Sequence, residues 1–254
     1  MFLKDEFMFA FVSIIRIIFH VLSGLIKVTF LFPFLNVASK DLRIKKWSYM
    51  LLKICKINLK IKNLEFNNDA NSSIIICNHI SWLDIFVINS KNPCRFIAKS
   101  EIRSWPVIGW LCKQTGTIFI YRSKQKDIKK IFLDIIKIIH KGERVAFFPE
   151  GTTSPQGKIR DFHSSLFESA IKTRSTIQPY AIRYLKTSGG FNNKVEYIGN
   201  ITLFESLLNI LKEESIIVEL IQLPTINSDR LNRRELSIIS NKIINDALTK
   251  TINS

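Results

Sequence analysis

A histidine stands five positions before an aspartate in the run Asn78-His-Ile-Ser-Trp-Leu-Asp84. A histidine whose tautomer is fixed by a carboxylate is suited to taking a proton from a hydroxyl. On a continuous helix the two side chains would point about 140° apart, so they can cooperate only if the chain turns between them. Ser81-Trp-Leu-Asp84 fits a capping box, with Ser81 as N-cap and Asp84 three residues on. The spacing therefore predicts a helix from Trp82, with His79 folded back over its first turn and an ionised Asp84 favoured at the helix N-terminus. The plain alternative is a capping aspartate beside a buried loop histidine.

Two further runs carry groups that could serve a polar substrate. Gly116-Thr-Ile-Phe-Ile-Tyr-Arg122 reads as a strand over Thr117–Tyr121 ending in an arginine, whose planar fork suits a phosphate or carboxylate. Phe148-Pro-Glu-Gly-Thr-Thr-Ser154 follows a second predicted strand, Arg144–Phe148. Pro149 ends that strand, Gly151 permits a tight turn or a close backbone approach, and Glu150 is thereby held at a strand mouth. Taken singly, Arg122 also reads as a surface arginine and Glu150 as a solvated turn carboxylate.

Together the three runs resemble the first three signature blocks of the glycerolipid acyltransferase family, nearest its bacterial 1-acylglycerol-3-phosphate acyltransferases. They occur in the family's order, Ile177-Gln-Pro179 resembles the fourth block, and the likeness covers roughly residues 45 to 225. The resemblance implies that His79 is the general base on the free hydroxyl of a lysophospholipid and that Asp84 orients it. It implies acyl-CoA or acyl-carrier protein as donor, with no metal and no prosthetic group. Gly116, Arg122, Glu150, Gly151 and Thr152 become the acceptor and phosphate site. Two departures bear on the acceptor. Position 153 is Thr where the family commonly has Arg, and Asp161-Phe-His-Ser-Ser-Leu166 replaces its Phe-Lys-x-Gly. Both delete a cation, and the result resembles the subgroup that acylates lyso-ornithine lipid. The other alternative is a membrane lipid-binding protein on the same fold without catalysis, which has no physical need for both His79 and Asp84. His163 is a weak substitute, while Lys158 and Arg160 stand nearby.

These groups must be positioned by strands and helices. Ser73–Cys77 is an apolar run after the turn-forming stretch Asn67–Ser72 and reads as a buried strand delivering His79 from its end. Residues Ile57–Ile61 alternate as a half-buried strand, and further strands are predicted near Ile177–Arg183, Lys194–Ile198 and Ile216–Leu223. Helices are predicted over Asp127–His140, Leu203–Lys212 and Asp229–Leu248. The interleaving indicates an α/β fold, a mixed β-sheet flanked by helices.

The first 36 residues differ from the rest. Residues 8–36 are overwhelmingly apolar, interrupted by Arg16, His20 and Lys27 and broken by Gly24 and Pro33. One tilted span or a two-helix hairpin dipping into one leaflet is expected, with Arg16 and Lys27 snorkelling. A signal peptide is disfavoured, because Asp5 and Glu6 offset Lys4 and no small-residue cleavage pattern follows. Lys40, Arg43, Lys45 and Lys46 then form a cytoplasmic-type flank, which places the protein at the inner membrane with its catalytic part on the cytoplasmic side. The expected division is residues 1–42 as anchor and 43–254 as acyltransferase domain. Trp47, Trp105 and Trp110 suit either the lipid interface or the core.

Composition narrows the partners. The chain carries 37 Lys and Arg against 21 Asp and Glu, a formal charge of +16. Without a zinc finger, an RNP sequence or an Arg-rich tract, this charge points to anionic membrane lipids or an acidic carrier and not to nucleic acid. Metal-ligand spacing, a phosphate-cradling Gly-rich loop and a Gly-x-Ser-x-Gly elbow are all missing from the sequence. Cys77 precedes the histidine inside the apolar run, as a small core residue or, with only His79 for support, a nucleophile.

Overall fold

The computed structural model describes residues 2–63, 74–120 and 125–250. The chain begins with helices α1 (Phe2–Phe30) and α2 (Val37–Ile54), then strands β1 (Ile57–Asn63) and β2 (Ile74–Cys77). Helix α3 (Asp84–Lys91), strand β3 (Arg95–Lys99), helix α4 (Ile108–Gln114) and strand β4 (Ile118–Ile120) follow. Next come α5 (Gln125–His140), β5 (Val145–Phe147), α6 (Glu168–Thr173), β6 (Ile177–Lys186), α7 (Leu203–Leu211), β7 (Ile216–Gln222) and α8 (Arg233–Lys250).

The seven strands form one sheet in the order β1-β7-β6-β2-β5-β3-β4. Every neighbouring pair is parallel except β6 with β7. β2 sits fourth of seven and is buried on both faces, which is why its sequence is a continuous apolar run and not an alternation. Ile75 and Cys77 point into one core with Leu52, Leu83, Val87 and Ile210, on the α2, α3 and α7 side. Ile74 and Ile76 point into the other, with Phe167, Ala170, Leu236 and Ile244 from the α6 and α8 side. Truncating such a side chain to Ala costs about 2–5 kcal/mol, a large share of a typical domain's stability.

α1 runs unbroken through Gly24, contrary to the break its sequence suggests. The glycine is a close-approach site: a Cβ there would lie 2.9 Å from Nε1 of Trp47. Trp47 stacks on His20 with ring centroids 4.4 Å apart. Its Nε1–H donates to the His20 carbonyl, and His20 Nε2 donates to the Trp47 carbonyl, both at 3.0 Å. Trp47 thus clasps α1 to α2 and also contacts Phe86 of α3. The helix does stop before Pro33, which lies in a 3-10 turn over Phe32–Phe34. α2 continues across residues 42 and 43, so the boundary expected there falls inside a helix.

Two expectations need correction. Residues Lys194–Ile198 form no strand, because Asn192 caps a 3-10 turn over Asn193–Val195 and Glu196 accepts a hydrogen bond from Gln156 N–H at 2.9 Å. Tertiary anchoring overrides the alternating pattern there. The helix after His79 begins at Asp84 and not at Trp82. Half of the capping box forms: Asp84 accepts from Ser81 N–H at 2.9 Å, while the Ser81 hydroxyl accepts from Leu83 N–H at 3.4 Å. β3 was missed altogether, being a short run fixed by pairing with β4 and β5.

Candidate active site

β2 and β5 are parallel and in register from Ile74 with Val145 to Ile76 with Phe147, so the loops after them leave the same sheet edge side by side. One loop carries Asn78-His79, and the other carries Phe148-Pro149-Glu150. β6 is longer than β2 and continues past its end from the Cys77–Tyr180 pairing. Its overrun anchors the first loop: the Asn78 side chain donates to the Ile182 carbonyl at 3.0 Å and accepts from Ile182 N–H at 2.8 Å.

His79 and Asp84 meet, with Nδ1 2.8 Å from Oδ2. The same Asp84 oxygen accepts from the backbone N–H groups of Ile80 (2.7 Å) and Ser81 (2.9 Å). The second oxygen, Oδ1, accepts from the Tyr184 hydroxyl at 2.7 Å. Asp84 is 0% exposed, so these four donors take the place of water around a buried carboxylate. Because a carboxylate oxygen only accepts, Nδ1 carries the proton and the lone pair of the neutral ring is on Nε2. The His79 side chain is 18% exposed. Its ring lies flat on Phe148, with centroids 3.8 Å apart and planes 6° apart. The imidazole is thus held from one edge by a carboxylate and across one face by an aromatic ring.

Glu150 secures the other side of the loop. Its Oε1 accepts from His79 N–H at 2.8 Å, and its Oε2 accepts from Arg160 N–H at 3.0 Å and from the Ser154 hydroxyl. Ser154 N–H donates in turn to the His79 carbonyl at 2.7 Å. Glu150 is buried, with both oxygens engaged by the protein. Gly151 adopts φ +68°, the left-handed conformation that glycine takes without steric cost.

The remaining predicted residues fall in different places. Thr152 lines a cleft of about 380 Å³ together with Lys99, Thr153, Arg160, Tyr197 and Ile201. The cleft wall Thr152–Pro155 is continuous with the segment bonded to His79. The Thr153 hydroxyl is turned into that wall, donating to the Tyr197 carbonyl. Gly116 is not brought to His79. It precedes β4 at the opposite sheet edge, with φ +85°, and a Cβ there would lie 2.6 Å from Cδ of Arg95. Arg95 is buried in ion pairs with Asp41 (2.8 Å) and Glu143 (2.6 Å). Arg122 lies outside the described residues.

Sequence reasoning missed three participants: Tyr184, Phe148 as a stacking partner, and Lys99. Burial, and next the charge of Asp84, push the Tyr184 phenol well above its ordinary range, so it remains a donor. Burial likewise pushes the Cys77 thiol well up, with the Asp84 and Glu150 charges adding to the effect. Fully buried and protonated, Cys77 is a core residue and not a nucleophile. Lys99 ends the overlooked β3 at the same edge as His79. The signal for it was the apolar run Phe96-Ile-Ala98 closed by a cation.

The family model described as Acyltransferase matches residues 58–183. A lyso-ornithine lipid O-acyltransferase of Pseudomonas aeruginosa is 34% identical over 176 residues, covering 69% of this chain and 67% of that protein. The chain belongs to the acyltransferase family. The 1-acyl-sn-glycerol-3-phosphate acyltransferase of Neisseria meningitidis is 40% identical over 119 residues, and this match spans 47% of either protein, about half the relative's length. The crystal structure of the 1-acyl-sn-glycerophosphate acyltransferase PlsC from Thermotoga maritima superimposes with a TM-score of 0.74 at 19% identity. That alignment covers 99% of this chain and 98% of the other, and it establishes the fold. The resemblance carried by the motif blocks and the expected mixed α/β architecture are both borne out.

Proposed function

We propose that this acyltransferase moves a fatty acyl group from the thioester of acyl-CoA or acyl-carrier protein to the free hydroxyl of 1-acylglycerol-3-phosphate, giving phosphatidic acid. The observation that carries the proposal is the His79–Asp84 pair, fixed so that Nε2 bears the lone pair. In this mechanism Nε2 takes the hydroxyl proton as the oxygen bonds to the thioester carbonyl carbon. The C–S bond then breaks, and the departing sulfur takes the proton back from His79. Asp84 holds the ring and stabilises its charged form, and Tyr184 holds Asp84. Lys99 and Arg160, both exposed at the cleft, are placed to receive an anionic headgroup, with Arg122 as a further candidate.

The proposed setting is the cytoplasmic face of the inner membrane, with residues 1–42 as the anchor and anionic lipids as the surface that the +16 charge meets. Ala10–Phe30 is long and apolar enough to cross a bilayer. Its packing favours an in-plane seat. Ala10, Ser13, Ile14, Ile17, Gly24 and Val28 lie on one helical face turned to the protein, while Phe11, Ile18, Phe19, Leu22, Ile26 and Phe30 are exposed on the opposite face. A helix with one face on its own domain along most of its length suits a hairpin lying in one leaflet better than a lone span.

A second acceptor is favoured by one observation. Position 153 is a threonine already bonded to Tyr197, so the cleft lacks a cation there, and the Pseudomonas aeruginosa relative is named for lyso-ornithine lipid. Supplying the membrane-reconstituted protein with an acyl donor and either lysophosphatidic acid or lyso-ornithine lipid decides between them. Acylation of lysophosphatidic acid supports the first reading. Acylation of the ornithine acceptor alone replaces it with the second.

A further inference from the structure

The cleft wall that carries Tyr197 is stitched to two loops at once. From the loop after β2, the carbonyl of Ile80, the residue next to His79, accepts from Tyr197 N–H at 3.0 Å. From the loop after β5, the Thr153 hydroxyl donates to the Tyr197 carbonyl. Just before Tyr197, the Glu196 carboxylate accepts from Gln156 N–H at 2.9 Å, and just beyond it the chain turns at Gly199 with φ +68°. A segment with neither helix nor strand is therefore fixed at both main-chain groups of one residue. Such fixing is what a side chain presented to a ligand needs.

The side chain of that residue is not tied. Tyr197 is half-buried and lines the cleft, and its hydroxyl makes no hydrogen bond with a described residue. A phenol O–H left free in a cleft is available to an anionic oxygen, and bonds of that kind are stronger than neutral ones. The rest of the lining has the same bias. Lys99 and Arg160 supply two cations, and among the described residues no carboxylate lines the cleft. An ammonium headgroup finds no ion-pair partner there, whereas a phosphate finds cations and a neutral donor.

Thr153 accounts for the placement of the phenol. It stands where the family commonly has arginine, so it brings no charge to the cleft it lines. Its one donor is directed at the Tyr197 carbonyl. We infer that Tyr197 is a specificity-determining residue whose phenol donates to a phosphate oxygen of the acceptor headgroup, and that Thr153 is a positioning residue acting through it. A neutral donor on a latched main chain then stands in for the missing cation. This inference rests on the proposed phosphate-bearing acceptor.

The test is steady-state kinetics of the full-length protein on vesicles carrying lysophosphatidic acid, with melting temperatures recorded. Tyr197→Phe deletes only the hydroxyl. It should raise the KM for lysophosphatidic acid about tenfold, the usual worth of one hydrogen bond to a charged group, with kcat and donor KM nearly unchanged. Thr153→Val should raise the same KM about threefold, while Thr153→Ser, which keeps the hydroxyl, should match wild type. The double variant Thr153→Val/Tyr197→Phe should be no worse than Tyr197→Phe alone, because the placement of an absent hydroxyl has no consequence. Single effects that multiply in the double variant overturn the latch. An unchanged acceptor KM in Tyr197→Phe, or an equal rise for the donor, overturns the inference while leaving the proposed function standing. A wild type that acylates lyso-ornithine lipid and not lysophosphatidic acid overturns the proposed acceptor, and the phosphate contact with it.

Discussion

The His79 loop and the neighbouring cleft lie on one sheet edge but are built in opposite ways. Around His79 the polar groups are buried and mutually bonded: Asp84 has four donors, and both oxygens of Glu150 are occupied. In the cleft, Lys99 and Arg160 are exposed, and the wall is set partly by one threonine bonded to a loop carbonyl. On the proposed function, the difference separates a rigidly held proton-transfer group from a loosely built acceptor cleft. Proton transfer needs reacting atoms held within a few tenths of an ångström, and only a bonded, buried shell does that. On the proposed function the cleft is the headgroup site, where one surface cation can replace another at modest cost.

Four changes test this contrast. Asp84→Asn should have the largest effect, because an amide cannot accept from His79, Ile80 and Ser81 while also receiving Tyr184. Turnover should fall by about 10³-fold or more, with little change in acceptor KM. Retention of most activity would show that the buried shell is not what fixes the base. Next, Lys99→Ala and Arg122→Ala should each raise acceptor KM by roughly tenfold or more, the usual worth of one charged hydrogen bond, with donor KM unaffected. A fall in kcat alone would move these residues out of the headgroup site. Tyr184→Phe should be milder, lowering kcat by about tenfold at unchanged KM, since one donor to Asp84 is lost and three remain. That variant also carries a pH signature. Burial, with the Asp84 charge, holds the folded-state phenol above its unfolded value, so its contribution to stability is complete below about pH 10 and is lost as pH rises through the folded value. Thermal melts of Tyr184→Phe should therefore fall less steeply than wild type above that pH, and parallel curves would remove the phenol from the account.

The contrast also explains what could be read from the sequence. The His79–Asp84 meeting was legible because all of its parts are local: a strand end, a turn, and a serine three residues before the aspartate. Glu150 was placed at a strand mouth by Pro149 and Gly151, and its strand pairs with β2. Its use of both oxygens on the protein's own donors was not legible, since Arg160 N–H and His79 N–H converge on it only after folding. Tyr184 was hidden for a stronger reason. It lies 100 residues from Asp84, and the contact exists because β6 runs on past the end of β2 in a register that no local pattern encodes. Lys99 was lost with its strand, whose pairing and not its composition makes it a strand. Gly116 was given a binding role by resemblance, and the structure places it against buried Arg95 at the far edge of the sheet.

The central claim is that His79 is the base for acyl transfer to a lysolipid hydroxyl. The most direct measurement follows acyl transfer from a radiolabelled donor to lysophosphatidic acid by vesicle-bound wild type and His79→Ala, with vesicle binding and melting temperature recorded for both. The account predicts that wild type forms product and that the variant binds and melts as wild type does while turnover falls at least about a thousandfold. A folded, membrane-bound His79→Ala protein that still acylates the acceptor at a comparable rate would contradict it.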